Sequence, residues 1–257
     1  MRTGIFITAR LGSTRLEKKH LLPVNGHPLL YFLISRIVRE FEKEINTNEI
    51  CIVIVTSDEP DNRRFEDLSN SGATVFYGSP NNIPLRHLQA AKAHMLDAVV
   101  AVDGDDILCS TRGMRAVYDA LIKGASYIKT SNLPFGMNSA GYTLGFVESA
   151  LNGHHEESLE TGWGRIFGTE NMLDIHIPFP VTDNALRFTL DYDEDYRFFK
   201  TLIEALGDRV FTACDEEIIG LVMDKGLYTI NEPIAKQYWE NFYEEQEREI
   251  RRSKDKF

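Results

Sequence analysis

Residues 50–56 run Ile-Cys-Ile-Val-Ile-Val-Thr. β-Branched side chains favour extended backbone, and a strand that is apolar on both faces has to be covered on both. The stretch therefore predicts a central strand of a parallel sheet. Residues 4–9 (Gly-Ile-Phe-Ile-Thr-Ala) and 98–102 (Ala-Val-Val-Ala-Val) carry the same signal, and 74–77 predicts a shorter strand. Between these strands, Leu29, Leu30, Leu33, Ile37, Val38 and Phe41 fall at helical spacing within 28–44. Helices are also predicted over 61–71 (ended by Gly72), 84–95 and 112–123, the last capped by Ser110. Strands alternating with helices imply an α/β fold with a mainly parallel sheet and right-handed crossovers. Ligands of such sheets gather beyond the C-terminal strand ends. Chemistry is thus expected in the loops after Ala9, Thr56, Tyr77 and Val102.

The second half is less regular. Strands are predicted at 126–130, 142–147 and 185–190, and helices at 195–206, 216–223 and 234–252. We expect a single domain over 1–257, with residues 130–185 as an excursion over one end of the sheet. Apolar residues make up 43% and charged residues 26%, which excludes a disordered or coiled-coil chain. No apolar run approaches the roughly 18 residues of a membrane span, and the N-terminus lacks a signal-peptide core. Cys51, Cys109 and Cys214 are too few and too far apart for a disulfide framework or a zinc site, so a reducing cytoplasm is expected. With 28 Lys+Arg against 39 Asp+Glu, the net charge of −11 argues against nucleic acid and anionic membranes as partners.

Against that acidic background one basic cluster stands out. Residues 9–19, Ala-Arg-Leu-Gly-Ser-Thr-Arg-Leu-Glu-Lys-Lys, follow the first strand and bring Arg10, Arg15, Lys18 and Lys19 together. A Gly/Ser/Thr loop at a strand end can aim backbone N–H groups at an anion, arginine offers a flat fork and lysine a movable charge. The loop has neither the G-x-x-x-x-G-K-[ST] nor the G-x-G-x-x-G pattern. On the acidic side, Asp103-Gly104-Asp105-Asp106 ends the 98–102 strand and Asp191 ends the 185–190 segment. Carboxylates from two strand ends opposite a basic loop suit a metal–triphosphate complex.

These motifs resemble those of the cytidylyltransferases that activate acidic sugars, including the 3-deoxy-manno-octulosonate, acylneuraminate and spore-coat polysaccharide groups. The likeness lies in A-R-L-G-S-T-R-L-x-x-K with Asn25-Gly26-His27-Pro28-Leu29, in 78–86 (Gly-Ser-Pro-Asn-Asn-Ile-Pro-Leu-Arg), and in Arg187-Phe188-Thr189-Leu190-Asp191 through Asp195. It implies the nucleotide-diphospho-sugar transferase fold, a Rossmann-like three-layer sandwich akin to A-type glycosyltransferases. It implies transfer of CMP from CTP to a sugar acid, with pyrophosphate released and Mg²⁺ as cofactor. Arg10, Ser13, Arg15 and Lys19 match the triphosphate loop, with Ala9, Gly12 and Asp103 completing the nucleotide contacts. Asp105 and Asp191 match the metal aspartates, and Arg15, Lys19, Asp105 and Asp191 are the expected catalytic set. Lys129, Asn138, Trp163 and Arg165, in or near the excursion, are expected to meet the acceptor. A homodimer is also implied. The family's usual Pro-Gly before the lysine is Glu17-Lys18 here. Two other readings are an A-type glycosyltransferase, from Asp103-x-Asp105 as a D-x-D motif, and a catalytically silent nucleotide-sugar-binding protein. The four cations favour a triphosphate over the diphosphate of a glycosyltransferase donor, and the silent reading predicts tight ligand binding with no pyrophosphate under any acceptor.

Overall fold

The computed structural model describes residues 1–155, 157–179 and 186–254. Its strands are β1 (Thr3–Thr8), β2 (Pro23–Val24), β3 (His27–Pro28), β4 (Ile50–Ser57), β5 (Thr74–Gly78), β6 (Ala98–Asp103), β7 (Tyr127–Ser131), β8 (Ala140–Thr143) and β9 (Leu173–His176). Its α-helices are α1 (Leu29–Glu40), α2 (Glu42–Asn46), α3 (Ile83–Ala93), α4 (Thr111–Ile122), α5 (Leu144–Ala150), α6 (Asp193–Leu206), α7 (Asp215–Asp224) and α8 (Ala235–Lys254). Seven strands form one sheet in the order β5-β4-β1-β6-β8-β7-β9. β1, β4, β5 and β6 pair in parallel, and only β8 runs against its neighbours. The sheet is the mainly parallel one expected.

Both faces of the central strands are buried because their side chains alternate. Ile5 and Ile7 of β1 join Leu33, Ile37 and Val117 on the α1/α4 side, while Phe6 joins Leu88, Ala91 and Val147 on the α3/α5 side. That division makes three layers. A further apolar body packs Leu186, Phe188 and Leu190 on Phe198, Phe199 and Leu202 of α6 and Ile218 of α7.

Three expectations need correction, and one strand was missed. Residues 142–147 are not one strand: β8 ends at Thr143, whose hydroxyl accepts from Phe146 N (3.3 Å) and caps α5. Residues 60–71 wind as 3₁₀ turns rather than an α-helix. Of the strand expected at 185–190, Ala185 lies outside the described residues. The rest makes one bridge, Phe135 to Arg187, and spends its apolar alternation on the α6 layer instead of on a ladder. β9 was not anticipated, since only Ile175 of its four residues is not fully exposed.

Topology fixes where a site can form. From β1 the chain moves outward through β4 and β5, then returns to lay β6 on the other side of β1. The C-terminal ends of β1 and β6 thus flank the switch point, where a crevice opens. Thr8 pairs with Asp103, and Gly104 N donates to Thr8 O at 2.7 Å. A Cβ at Gly104 would stand 2.9 Å from Ala9 Cβ, so only glycine lets the two loops approach this closely.

Candidate active site

A cleft of about 740 Å³ opens at this switch point. It is lined by Ala9, Arg10, Gly12, Ser13, Arg15 and Lys19 of the opening turn, by Asp103 and Asp105 after β6, and by Asp191. Lys129 and Trp163 also line it, whereas Lys18, Asn138 and Arg165 do not. Asn138 Nδ2 donates to Leu133 O (2.9 Å), and Arg165 donates to Thr161 O and Ser158 O, so both shape loops behind the cleft wall.

The centre is Lys19. Its ammonium, 5% exposed as a residue, lies 2.7 Å from Asp105 Oδ2 and 3.1 Å from Asp191 Oδ1. Burial works against its charge, but Asp105 and Asp191 outweigh that and raise its pKa. Burial likewise disfavours the charged form of Asp105, yet Lys19 and His20 hold its carboxyl well below the usual carboxylate range. The Asp105 side chain remains 28% exposed, which leaves it open to a ligand. Arg15 donates to Asp191 at 3.0 Å and lies over the Tyr192 ring, with 40% of its side chain exposed. Arg10 reaches Glu160 at 3.2 Å.

The supporting groups were mostly missed from sequence. His20 Nε2 donates to Asp105 Oδ1 at 2.8 Å, fixing the carboxylate from behind. Arg187 donates to Asp191 Oδ2 (3.0 Å) and to both oxygens of Asp195. Asp195 in turn accepts from the backbone N–H of Asp191 and Tyr192. Asp191 is therefore tied by one oxygen to the protein interior and by the other to the cations of the opening turn. The Arg187 guanidinium stacks 4.1 Å from the Tyr238 ring of α8, and Trp239, Phe242 and Glu249 of the same helix line the cleft. Glu249 accepts from Thr161 N (3.0 Å) and Arg165 Nη1 (3.3 Å), latching α8 to the 158–165 loop. An aromatic-rich helix and a buried glutamate carry no local motif, so the apolar spacing alone could not assign them to the cleft.

Loss of hydration at the cleft floor, with the Asp105 charge beside it, pushes the Asp103 carboxyl up to about 6. Burial and the charges of Asp103 and Asp105 raise Asp106 as well. No group of three or more His, Cys, Asp or Glu placed to hold a metal occurs among the described residues. The two carboxylates that converge on Lys19 are hard oxygen donors of the kind that share a magnesium ion with phosphate oxygens and water. Lys18 has φ +52°, a left-handed turn conformation held without glycine.

Comparison with known proteins gives a consistent answer. The sequence profile of the cytidylyltransferase family matches residues 5–160. The spore coat polysaccharide biosynthesis protein SpsF of Bacillus subtilis is 25% identical over 220 residues, covering 82% of this chain and 90% of that protein. A 3-deoxy-manno-octulosonate cytidylyltransferase of Chlorobium chlorochromatii is 35% identical over 112 residues, 43% of this chain and 42% of that one. The solved structure of a cytidylyltransferase from Leptospira borgpetersenii superposes with a TM-score of 0.74 at 24% identity, covering 90% of this chain and 98% of that one.

Proposed function

The chain belongs to the cytidylyltransferase family and is a nucleotidyltransferase, and we propose that it transfers CMP from CTP to an acidic sugar. The observation that carries this reading is the meeting of Lys19 with both Asp105 and Asp191. It joins a cation of the opening turn to carboxylates of two remote strand ends. Arg10, Ser13, Arg15 and Lys19 would hold the triphosphate, with Ala9, Gly12 and Asp103 along its length. Mg²⁺ would be held by Asp105 and Asp191. Bound there, it supplies positive charge that lowers the pKa of the acceptor hydroxyl and offsets charge on the departing pyrophosphate.

The acceptor oxygen attacks the α-phosphorus in line. A bond forms between them, the bond from that phosphorus to the β-bridging oxygen breaks, and a cleft carboxylate takes the hydroxyl proton. The protein's contribution is positioning and electrostatics, as in other phosphoryl transfers. Arg15 and Lys19 face the charge that grows on the leaving group, and Arg187 and His20 keep the two aspartates in place. The similarity to a 3-deoxy-manno-octulosonate cytidylyltransferase supports a sugar-acid acceptor, and that to SpsF supports a role in polysaccharide biosynthesis. The same reading takes the enzyme as a cytoplasmic homodimer; no helix among the described residues is long and apolar enough to cross a membrane. Exposed Leu173 on the edge strand β9 and exposed Ile122 at the end of α4 offer an apolar contact surface. The test is a pyrophosphate-release screen of four nucleoside triphosphates against a panel of acidic sugars. Release with CTP and a carboxylated sugar is expected, and release from a nucleotide-sugar donor instead would favour a glycosyltransferase.

A further inference from the structure

We propose that the ring of the acceptor sugar stacks in an aromatic corner of the cleft made by Phe135 and Trp239 and backed by Phe242. This rests on the reading of the site as one that activates an acidic sugar, and it adds which part of the acceptor is recognised. All three side chains line the cleft. Phe135 is 37% and Trp239 39% exposed, so both rings are open to a ligand. Their centres lie 5.0 Å apart with the planes at 45°, and Phe242 stands 5.6 Å from Trp239. A cleft otherwise lined by charged and polar groups thus has one contiguous apolar wall.

The exposed ring surface is not what attaches α8 to the protein. Tyr238 stacks on the Arg187 guanidinium at 4.1 Å, Asn241 Nδ2 donates to the Tyr192 hydroxyl at 2.8 Å, and Glu249 accepts from Thr161 N at 3.0 Å. These residues, spaced by three and eight, fix the helix across the cleft from one side to the other. Phe135, in the link from β7 to β8, is fixed separately, its carbonyl accepting from Phe188 N at 2.7 Å. Two independently anchored segments therefore bring their rings together at the cleft and leave them uncovered. Contiguous apolar surface kept in water beside a polar site marks a place where something binds.

The occupant follows from what lies next to the corner. Arg187 alone spans the gap to the reacting centre: its Cζ is 5.6 Å from the centre of the Phe135 ring, and its Nη2 donates to Asp191 Oδ2 at 3.0 Å. An acceptor whose hydroxyl is presented at Asp191 brings the rest of its body over Phe135 and Trp239. The C–H face of a sugar ring is weakly positive and packs on the negative face of an aromatic ring. Asn241 and Glu245 line the same wall and carry oxygens that accept from sugar hydroxyls. The corner thus selects a cyclic sugar acid over an open-chain polyol acid of the same charge.

The test compares Trp239→Ala, Trp239→Tyr and Phe135→Ala with the wild type, all as the full chain, by steady-state kinetics, calorimetric binding and tryptophan fluorescence. The probes are 3-deoxy-manno-octulosonate and glucuronate as cyclic acids and gluconate as the open-chain control. Each alanine variant is expected to raise Kd and KM for the cyclic acid about tenfold, the loss expected for a stacked ring. KM for CTP and the affinity for gluconate should stay unchanged. Trp239→Tyr keeps a ring and should recover most of the affinity, which a merely structural tryptophan would not predict. The cyclic acid should also shift the tryptophan emission of the wild type, and that shift should shrink in Trp239→Tyr. Unchanged affinity for the cyclic acids in both alanine variants overturns the stacking site, as does an equal loss for gluconate. A dimer that becomes a monomer in Trp239→Ala with sugar affinity kept assigns the corner to a second copy of the chain, and overturns the proposal too. Binding of a cyclic acid that both alanine variants weaken, without pyrophosphate release from any nucleotide, sustains the site while refuting the reaction. No binding of either cyclic acid by the wild type refutes the site itself.

Discussion

Lys19 Nζ lies 2.7 Å from Asp105 Oδ2, although 86 residues separate them in the chain. The contact joins the opening turn to the end of β6, and the same ammonium also reaches Asp191 at 3.1 Å. Removing it leaves two carboxylates facing each other at the cleft floor. Lys19→Ala is expected to lower folding stability by roughly 3–5 kcal/mol, the cost of breaking a buried pair from one side. Urea unfolding checks the figure. A loss below about 1 kcal/mol would mean that the carboxylates find other partners.

Lys18 holds φ +52° in the opening turn. A left-handed residue bearing a Cβ carries about 1 kcal/mol of backbone strain. Lys18 is not among the residues lining the cleft, and its only ion pair among the described residues is with Glu17 at 3.7 Å. Lys18→Gly should therefore stabilise the protein by roughly 0.5–1 kcal/mol with no change in nucleotide affinity. A rise in melting temperature is the readout.

His87 is wholly buried between the Thr8 hydroxyl, at 2.8 Å, and the Tyr142 hydroxyl. Burial, with Arg86 beside it, lowers its pKa from 6.5 to about 3. The unfolded chain takes up this proton near 6.5 and the folded one only near 3, so the imidazole's contribution to stability is full above 6.5 and is lost as pH falls from there toward 3. His87→Gln should flatten the pH dependence of the unfolding midpoint across that window. Parallel profiles for wild type and variant would contradict the assignment.

Glu249 anchors α8 to the 158–165 loop through Thr161 N and Arg165. Glu160, the residue before Thr161, holds Arg86 at 2.7 Å and Arg10 at 3.2 Å. Glu249→Ala should destabilise by about 1.5–3 kcal/mol, the value of hydrogen bonds to a charged group. It should also expose the loop to proteases and weaken CTP binding through Arg10. Unchanged proteolysis would show that the aromatic contacts of α8 suffice.

The central sheet was legible because its strands are apolar on both faces, a pattern that residues 50–56 and 98–102 leave little freedom to read otherwise. The meeting of the opening turn with the two aspartates was legible because opposite charges at neighbouring strand ends have one crevice to share. What sequence hid was long-range: His20 behind Asp105, Arg187 behind Asp191, and α8 along the cleft depend on contacts spanning many residues. Residues 142–147 misled because Thr143 ends a strand and caps a helix at once. Arg165 and Asn138 bond to the loops that build the cleft, a use of a polar side chain that its nearness in sequence does not distinguish from contact with a ligand.

The central claim is that the opening turn and the two strand-end aspartates act on one nucleotide. Pyrophosphate release from CTP with a carboxylated sugar, measured for wild type, Arg15→Ala and Asp105→Asn, tests it most directly. Each variant should lose at least a hundredfold in rate, about 3 kcal/mol of barrier, and the double variant should lose little more, as expected of groups acting on one transition state. Wild-type rates in either single variant, or a full multiplication of the two losses, would contradict it.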